Sequence, residues 1–288
     1  MHYYNIYGQS VAVNVQLPLL NSIEPTDDCE MQIFVKYADI DGDGHIHIEE
    51  SGDHYTLKLG NLAVYQIDME EKQIVCQAKD FESFFSTLFN IPFSVYFLNK
   101  KEVLFHACSL VYDHQVFCLT GEKGIGKSTL TGILNQYEEF QIFGDDTIHI
   151  GDHSICSAAH NLMKQTPETV QSLSTKTLNS KNAAGKFYIS FENEVNLGVI
   201  KKIFYISRSD RLTFTVRKVT NALRKNSIYK ANVVGAGHMP YRLLTNLLKI
   251  SQENLEFYEL FVPNDLTYLV SHGEELKKII MSAFDGER

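Results

Sequence analysis

The chain has 288 residues, 44% of them apolar and 21% charged, with 17 glycines and six prolines, so it can bury a full hydrophobic core. Disordered, collagenous and fibrous classes are excluded on that composition. Twenty-six Lys and Arg against 35 Asp and Glu give a net charge of −9, and no basic run forms a phosphate-tracking stripe, so nucleic acid is not expected as a partner.

No stretch approaches the roughly 20 apolar residues of a membrane helix, and the N-terminus MHYYNIYGQS has neither a basic n-region nor an apolar h-region. No membrane partner is expected, and a cytoplasmic location is. The five cysteines, Cys29, Cys76, Cys108, Cys118 and Cys156, are widely spaced without a CxxC pair. Reduced core thiols are expected from that pattern, in preference to disulfides or a zinc site.

In chain order, short segments rich in β-branched and aromatic residues come first: Met31–Val35, His54–Leu59, Ala63–Ile67 and Gln73–Cys76, separated by polar clusters. They predict strands. Between the first two, Asp39 to Glu50 matches the calcium loop D-x-D-x-D-G-x₅-E. Its flanks alternate like strands and not like the helices of an EF-hand, so a hairpin turn at Asp-Gly-Asp-Gly is expected and calcium is the alternative. His45 and His47 are expected as solvated strand residues. Phe81 to Asn90 carries helical periodicity, and Pro92 then predicts a break before a strand over SVYFL (94–98).

From there strands and helices alternate, the pattern of an α/β architecture. A division is expected into a β-rich N-terminal subdomain, 1–95, and a catalytic domain, 96–288. Val103–Tyr112 and Gln115–Thr120 flank the turn Asp113-His114 and predict a hairpin. A helix over Lys127–Tyr137, strands over Phe140–Phe143, Thr147–Ile150 and Ile203–Ile206, and a helix over Leu243–Leu248 complete the outline.

The second hairpin strand runs into Gly121-Glu122-Lys123-Gly124-Ile125-Gly126-Lys127-Ser128, followed by Thr129, a full match to G-x-x-x-x-G-K-[ST]. Wrapping a phosphate with backbone N–H groups needs glycines that accept positive φ and close approach. Lys127 then reaches the β- and γ-phosphates, and Ser128 contributes to a Mg²⁺ shell at a helix N-terminus. An ordinary glycine-rich turn is the alternative. Asp145-Asp146 follow a short apolar run, and only one helix and one strand fit between them and Lys127. One carboxylate can hold Mg²⁺ while the other takes a proton from an attacking hydroxyl; an Asp-Asp turn ending a strand is the competing reading. His106, one strand before the loop strand, faces either the phosphate region or the core.

The run LFHACSLVYDHQVFCLTGEKGIGKSTL…FGDDTI resembles the HPr kinase/phosphorylase superfamily, related more loosely to phosphoenolpyruvate carboxykinase. It is most similar to the HPr-kinase-like proteins of peptide gene clusters, including the lasso-peptide kinases that phosphorylate a C-terminal serine of a precursor. The resemblance covers about Phe93 to the C-terminus and is specific in the motif core. It implies an HPr-kinase-like P-loop core, ATP and Mg²⁺ as cofactors, and a peptide or protein serine as acceptor. It also implies homo-oligomerisation, because such relatives are often multimeric.

Residue by residue, it implies phosphate binding by Gly121, Gly124, Gly126 and Lys127, metal binding by Ser128 with the acidic pair, and Asp145 or Asp146 as base. His106 becomes an active-site residue, with Lys186 and then Arg224 as weaker candidates. The polar stretch before Lys186 is expected to be a mobile loop. The additional N-terminal domain and C-terminal signature of the HPr enzymes are not recognisable, so HPr as acceptor and a phosphorylase reaction are not expected. Two rivals remain: a kinase or hydrolase of a small metabolite, and a noncatalytic nucleotide-sensing adaptor.

Overall fold

A computed structural model describes residues 1–26, 29–175, 177–178, 185–191, 197–250, 252 and 254–285. The chain begins with β1 (His2–Ile6), β2 (Gln9–Val13), β3 (Met31–Tyr37), β4 (Ile46–Ser51), β5 (His54–Leu59), β6 (Ala63–Asp68) and β7 (Gln73–Ala78). These form one sheet in the order β1-β2-β3-β7-β6-β5-β4. The period-two pattern of the sequence sets its faces: Met31, Ile33 and Val35 of β3 point inward and are buried, while Gln32 and Lys36 are exposed.

The segment 39–45 is flanked by strands, as expected, but it is not a hairpin turn. β3 pairs in parallel with β2 and β7, and β4 lies at the far edge against β5, so the acidic loop crosses the ends of three strands. The cause is pairing strength. The inner position beside β3 goes to β7, which buries Ile74, Cys76 and Ala78, whereas β4 has only the half-buried Ile46 and Ile48 to offer. Within the loop Asp43 accepts from the His45 N–H at 2.9 Å and pairs with His47 Nε2 at 2.7 Å.

Next come α1 (Phe81–Leu88) and α2 (Ile91–Asn99). Asp80 caps α1 by accepting from the Ser83 N–H at 2.7 Å, and Phe84, Phe85 and Leu88 form its buried face. The strand expected over SVYFL is instead α2. Pro92 stands in the first turn of that helix, where its missing N–H costs nothing. A run buried on every side carries no periodicity, so the segment gave no sign of helix over strand. Residue 95, the expected subdomain boundary, falls inside α2.

The remainder runs β8 (Val103–Phe105), β9 (Ala107–Tyr112), β10 (Gln115–Thr120), α3 (Lys127–Leu134), β11 (Gln141–Gly144), β12 (Ile148–Ile150), β13 (Ile155–Ala158), β14 (Leu162–Gln165), α4 (Pro167–Leu173) and β15 (Phe187–Ser190). It ends with β16 (Gly198–Ser209), β17 (Thr215–Lys218), α5 (Ala222–Ala231), α6 (Tyr241–Lys249), β18 (Glu256–Pro263), α7 (Leu266–Ser271) and α8 (Gly273–Asp285). The second sheet has the order β11-β9-β10-β16-β13-β12-β8, with β18 beside β16 and β17 beside β18; β14 and β15 pair separately.

One face of the second sheet packs on α3 and α8 through Phe117, Phe204, Leu130, Ile133 and Ile280. The other shares a continuous apolar core with the first sheet, where Phe93, Phe97 and Phe105 meet Tyr7, Tyr65 and Ile74. Among the described residues no helix is long and apolar enough to cross a membrane.

Candidate active site

Strand direction explains why distant residues converge. β10 and β9 are antiparallel with Thr120 opposite Ala107, and β11 is antiparallel to β9 with Gly144 opposite Ser109. The start of β9 and the ends of β10 and β11 therefore lie at one sheet edge. That edge carries His106, the loop from Gly121, and Asp145-Asp146.

His106 interrupts what the sequence presents as one strand over Val103–Tyr112. β8 pairs with β12, whereas β9 pairs with β10 and β11, so the chain passes between partners at this residue. Both backbone groups of His106 are fixed there: its N–H donates to Asn232 at 2.7 Å, and its carbonyl accepts from Thr120 Oγ1 at 2.8 Å. Asp145-Asp146 make the matching passage from β11 to β12. Asp146 has φ +69°, a left-handed conformation that aspartate tolerates better than most residues.

The loop from Gly121 to Gly126 joins β10 to α3. Gly121, Gly124 and Gly126 have φ of +146°, +82° and +103°, as the phosphate-loop reading requires. At Gly126, which caps α3, a Cβ would lie 2.5 Å from Nη2 of Arg208. Lys127 is buried, and its ammonium donates to the carbonyls of Gly121 at 3.0 Å and Glu122 at 3.2 Å. Burial lowers its pKa, with Asp145 and Asp146 opposing. Glu122, Lys123 and Gly124 are exposed, and Ile125 rests against the α3 core. Thr129 is the third residue of α3, with its hydroxyl 3.1 Å from that of Thr169.

The two aspartates differ in surroundings. Asp145 is 4% exposed. Its Oδ1 accepts from Ser128 Oγ at 3.0 Å and Cys108 Sγ at 2.8 Å, and its Oδ2 from the Lys164 N–H at 2.9 Å. Burial, then the charge of Asp146, raises its pKa. The Asp146 side chain is 36% exposed, with Oδ2 3.0 Å from Lys164 Nζ and Oδ1 3.6 Å from His106 Nδ1. Burial pushes that carboxyl up, but Lys164 and His106 outweigh it and hold the pKa at about 2. His106 is lowered by burial and by Lys127, against the pull of Asp146.

Lys164, on β14, has no signature in the sequence, where NLMKQTP carries no motif. It is the group that binds both aspartates, one through its backbone and one through its ammonium. Cys108 fits the expectation of a core thiol and is also a donor to Asp145. All five cysteines are free. The Lys186 charge acts on Lys127, which puts it within electrostatic reach of the loop; most of the polar stretch before it, 179–184, lies outside the described residues. Arg224 is engaged by Glu259 at 2.8 Å and lies over the ring of Tyr205, and among the described residues it makes no ion pair with Asp145 or Asp146.

Ser128 and Asp145 supply hard oxygens 3.0 Å apart at a helix N-terminus. Among the described residues no cluster of three or more His, Cys, Asp or Glu forms a metal cage. That donor set fits Mg²⁺, which takes few protein ligands and completes its shell with water and phosphate oxygens.

No family model matches the chain, and no curated protein matches it. Among solved structures it is similar to the Hpr(Ser) kinase/phosphatase from Coxiella burnetii, at 15% identity and a TM-score of 0.31, over 64% of this chain and 95% of that one. At that level the likeness carries no argument about activity, and the functional reading rests on the side chains themselves. What they define is a mixed α/β protein with a glycine loop, a buried lysine and an unequal aspartate pair at one sheet edge.

Proposed function

We propose that this chain is an ATP-dependent, Mg²⁺-requiring phosphotransferase with an HPr-kinase-like core, acting on a serine hydroxyl of a peptide or protein. The C-terminal serine of a lasso-peptide precursor is the specific acceptor suggested by the motif resemblance, and the β-rich region 1–95 is proposed as a supporting subdomain. The observation that carries the reading is the division of labour around Lys127. Ser128 and Asp145 face one another beside the loop, while Asp146 stands apart, half exposed, between His106 and Lys164.

The roles follow from that placement. The backbone N–H groups of the loop and the Lys127 ammonium bind the phosphates of ATP. Ser128 and Asp145 hold Mg²⁺, which when bound neutralises phosphate charge. Asp146 accepts the proton of the serine hydroxyl as its oxygen bonds to the γ-phosphorus; the bond from that phosphorus to the β–γ bridging oxygen breaks, and ADP leaves with the electron pair. His106 and Lys164 keep the Asp146 carboxylate oriented.

Mass spectrometry of serine-containing peptides incubated with the protein, ATP and Mg²⁺ tests this. The expected result is a gain of one phosphate on serine. Turnover only with small hydroxylated metabolites, or tight ATP binding without turnover, would replace it with a small-molecule kinase or a nucleotide-sensing adaptor.

A further inference from the structure

Arg208 is the feature at this edge that the motif does not account for. β16 runs parallel to β10, with Tyr205 opposite Thr120, so the residues after Tyr205 continue past the point where β10 becomes the glycine loop. Side chains alternate along the strand. Phe204 and Ile206 enter the core beneath α3, and Arg208 follows on the same side, past the end of β10 but still paired with Val262 of β18. Its guanidinium reaches the loop, where Nη2 occupies the space that a Cβ on Gly126 would need.

Its bonding is incomplete. A guanidinium has five N–H donors and no way of shedding its charge near neutral pH. Among the described residues Arg208 meets one acceptor, the carbonyl of Pro263 at 2.6 Å from Nη1, and it has no carboxylate partner. The contrast with the other cations of the region is direct, since Lys164 is paired with Asp146, Arg217 and Arg224 with Glu259, and Lys202 with Glu256. Arg208 is only partly exposed, and burial depresses its pKa with no charge to offset it. Leaving a half-buried cation unpaired is costly unless an anion completes it.

We infer that Arg208 is a second cation of the phosphate subsite, anchored through Nη1 on Pro263 and offering its remaining donors to the polyphosphate of a nucleoside di- or triphosphate. The inference rests on the nucleotide-binding reading of the loop and assigns it a residue outside the motif. Lys127 approaches the phosphates as a point charge from the helix, and Arg208 as a planar fork from the neighbouring strand. Two cations placed this way favour a polyphosphate over a monophosphate, because one phosphate group spans only one of them.

Titration calorimetry with MgADP, inorganic pyrophosphate and AMP on the wild type, Arg208→Met, Arg208→Lys and Lys127→Met gives the test. Arg208→Met is expected to weaken MgADP and pyrophosphate about 10- to 100-fold with AMP changed far less, and Arg208→Lys to recover part of the loss. A wild type that binds none of the three would overturn the nucleotide reading itself. Loss in Lys127→Met with wild-type affinity in Arg208→Met would overturn the role of Arg208 alone. Should the variants misfold, phenylglyoxal modification of the wild-type protein replaces them, read at Arg208 by peptide mass spectrometry. Saturating pyrophosphate is expected to slow modification at this residue, and an unchanged rate would contradict the inference.

Discussion

Asp146 Oδ1 lies 3.6 Å from Nδ1 of His106 because the two residues occupy matching passages between the same strand pairs. His106 carries the chain from β8 to β9, and Asp146 carries it from β11 toward β12, with β8 paired to β12 and β9 to β11. The pairing of these two side chains is thus a product of sheet topology. The left-handed backbone of Asp146 is part of that passage.

Asp146→Asn keeps the shape of the side chain and removes its basicity. Phosphoryl transfer should fall about 100- to 10,000-fold, while MgADP affinity measured by calorimetry stays within a few fold of wild type. Equal loss of binding and transfer would contradict its assignment as the proton acceptor.

Asp145→Asn and Ser128→Ala act on the other half of the site. Both should abolish the part of nucleotide affinity that depends on Mg²⁺ and leave the affinity measured in excess chelator close to wild type. The check is ADP binding with and without Mg²⁺. A variant that keeps the full Mg²⁺-dependent gain would remove that residue from the metal assignment.

Tyr7 ties the first sheet to this site. Its hydroxyl donates to the Phe89 carbonyl at 2.7 Å and meets Thr147 Oγ1, next to Asp146. Burial raises its pKa strongly, so it stays a neutral donor. Tyr7→Phe removes the nearer of two donors to the buried Phe89 carbonyl, the other being Thr147 Oγ1 at 3.5 Å, and should destabilise the fold by about 1 kcal/mol in urea unfolding.

Glu256 sets an acid limit on stability. Burial alone would raise its carboxyl, but hydrogen bonds from Lys202, Lys218 and Tyr258 overcome that and hold the pKa at about 2, against an ordinary 4.5. A depressed carboxylate contributes stability that is fully present above its unfolded pKa and is lost as pH falls through the folded one. Unfolding followed from pH 7 downward should therefore show a loss between about 4.5 and 2 that Glu256→Gln lacks. The variant should be the less stable protein at neutral pH and nearly equal to wild type at the acid end.

Much of the site was legible in the chain. The glycine loop, Lys127, Ser128 and the Asp145-Asp146 pair stand in one continuous stretch whose spacing encodes strand, loop, helix and strand. Residues brought by other strands were not. Strand position alone leaves His106 facing either the phosphate region or the core, and only the resemblance favours the site; Lys164 and Arg208 have no local signature, because their roles depend on which strands lie next to the loop and how far β16 runs past the end of β10. The helix α2 is not legible as a helix because burial on all sides erases periodicity. The acidic loop before β4 resembles a hairpin turn because a turn motif does not reveal that its two strands are separated by three others.

The central claim is that the loop around Lys127 binds ATP for transfer to a serine. It is tested most directly by following the γ-phosphate, labelled, from ATP to a serine-containing peptide in the presence of Mg²⁺, with wild-type protein and with folded Lys127→Ala. The account predicts one labelled phosphate per peptide with wild type and none with the variant. Transfer by Lys127→Ala at the wild-type rate would contradict it.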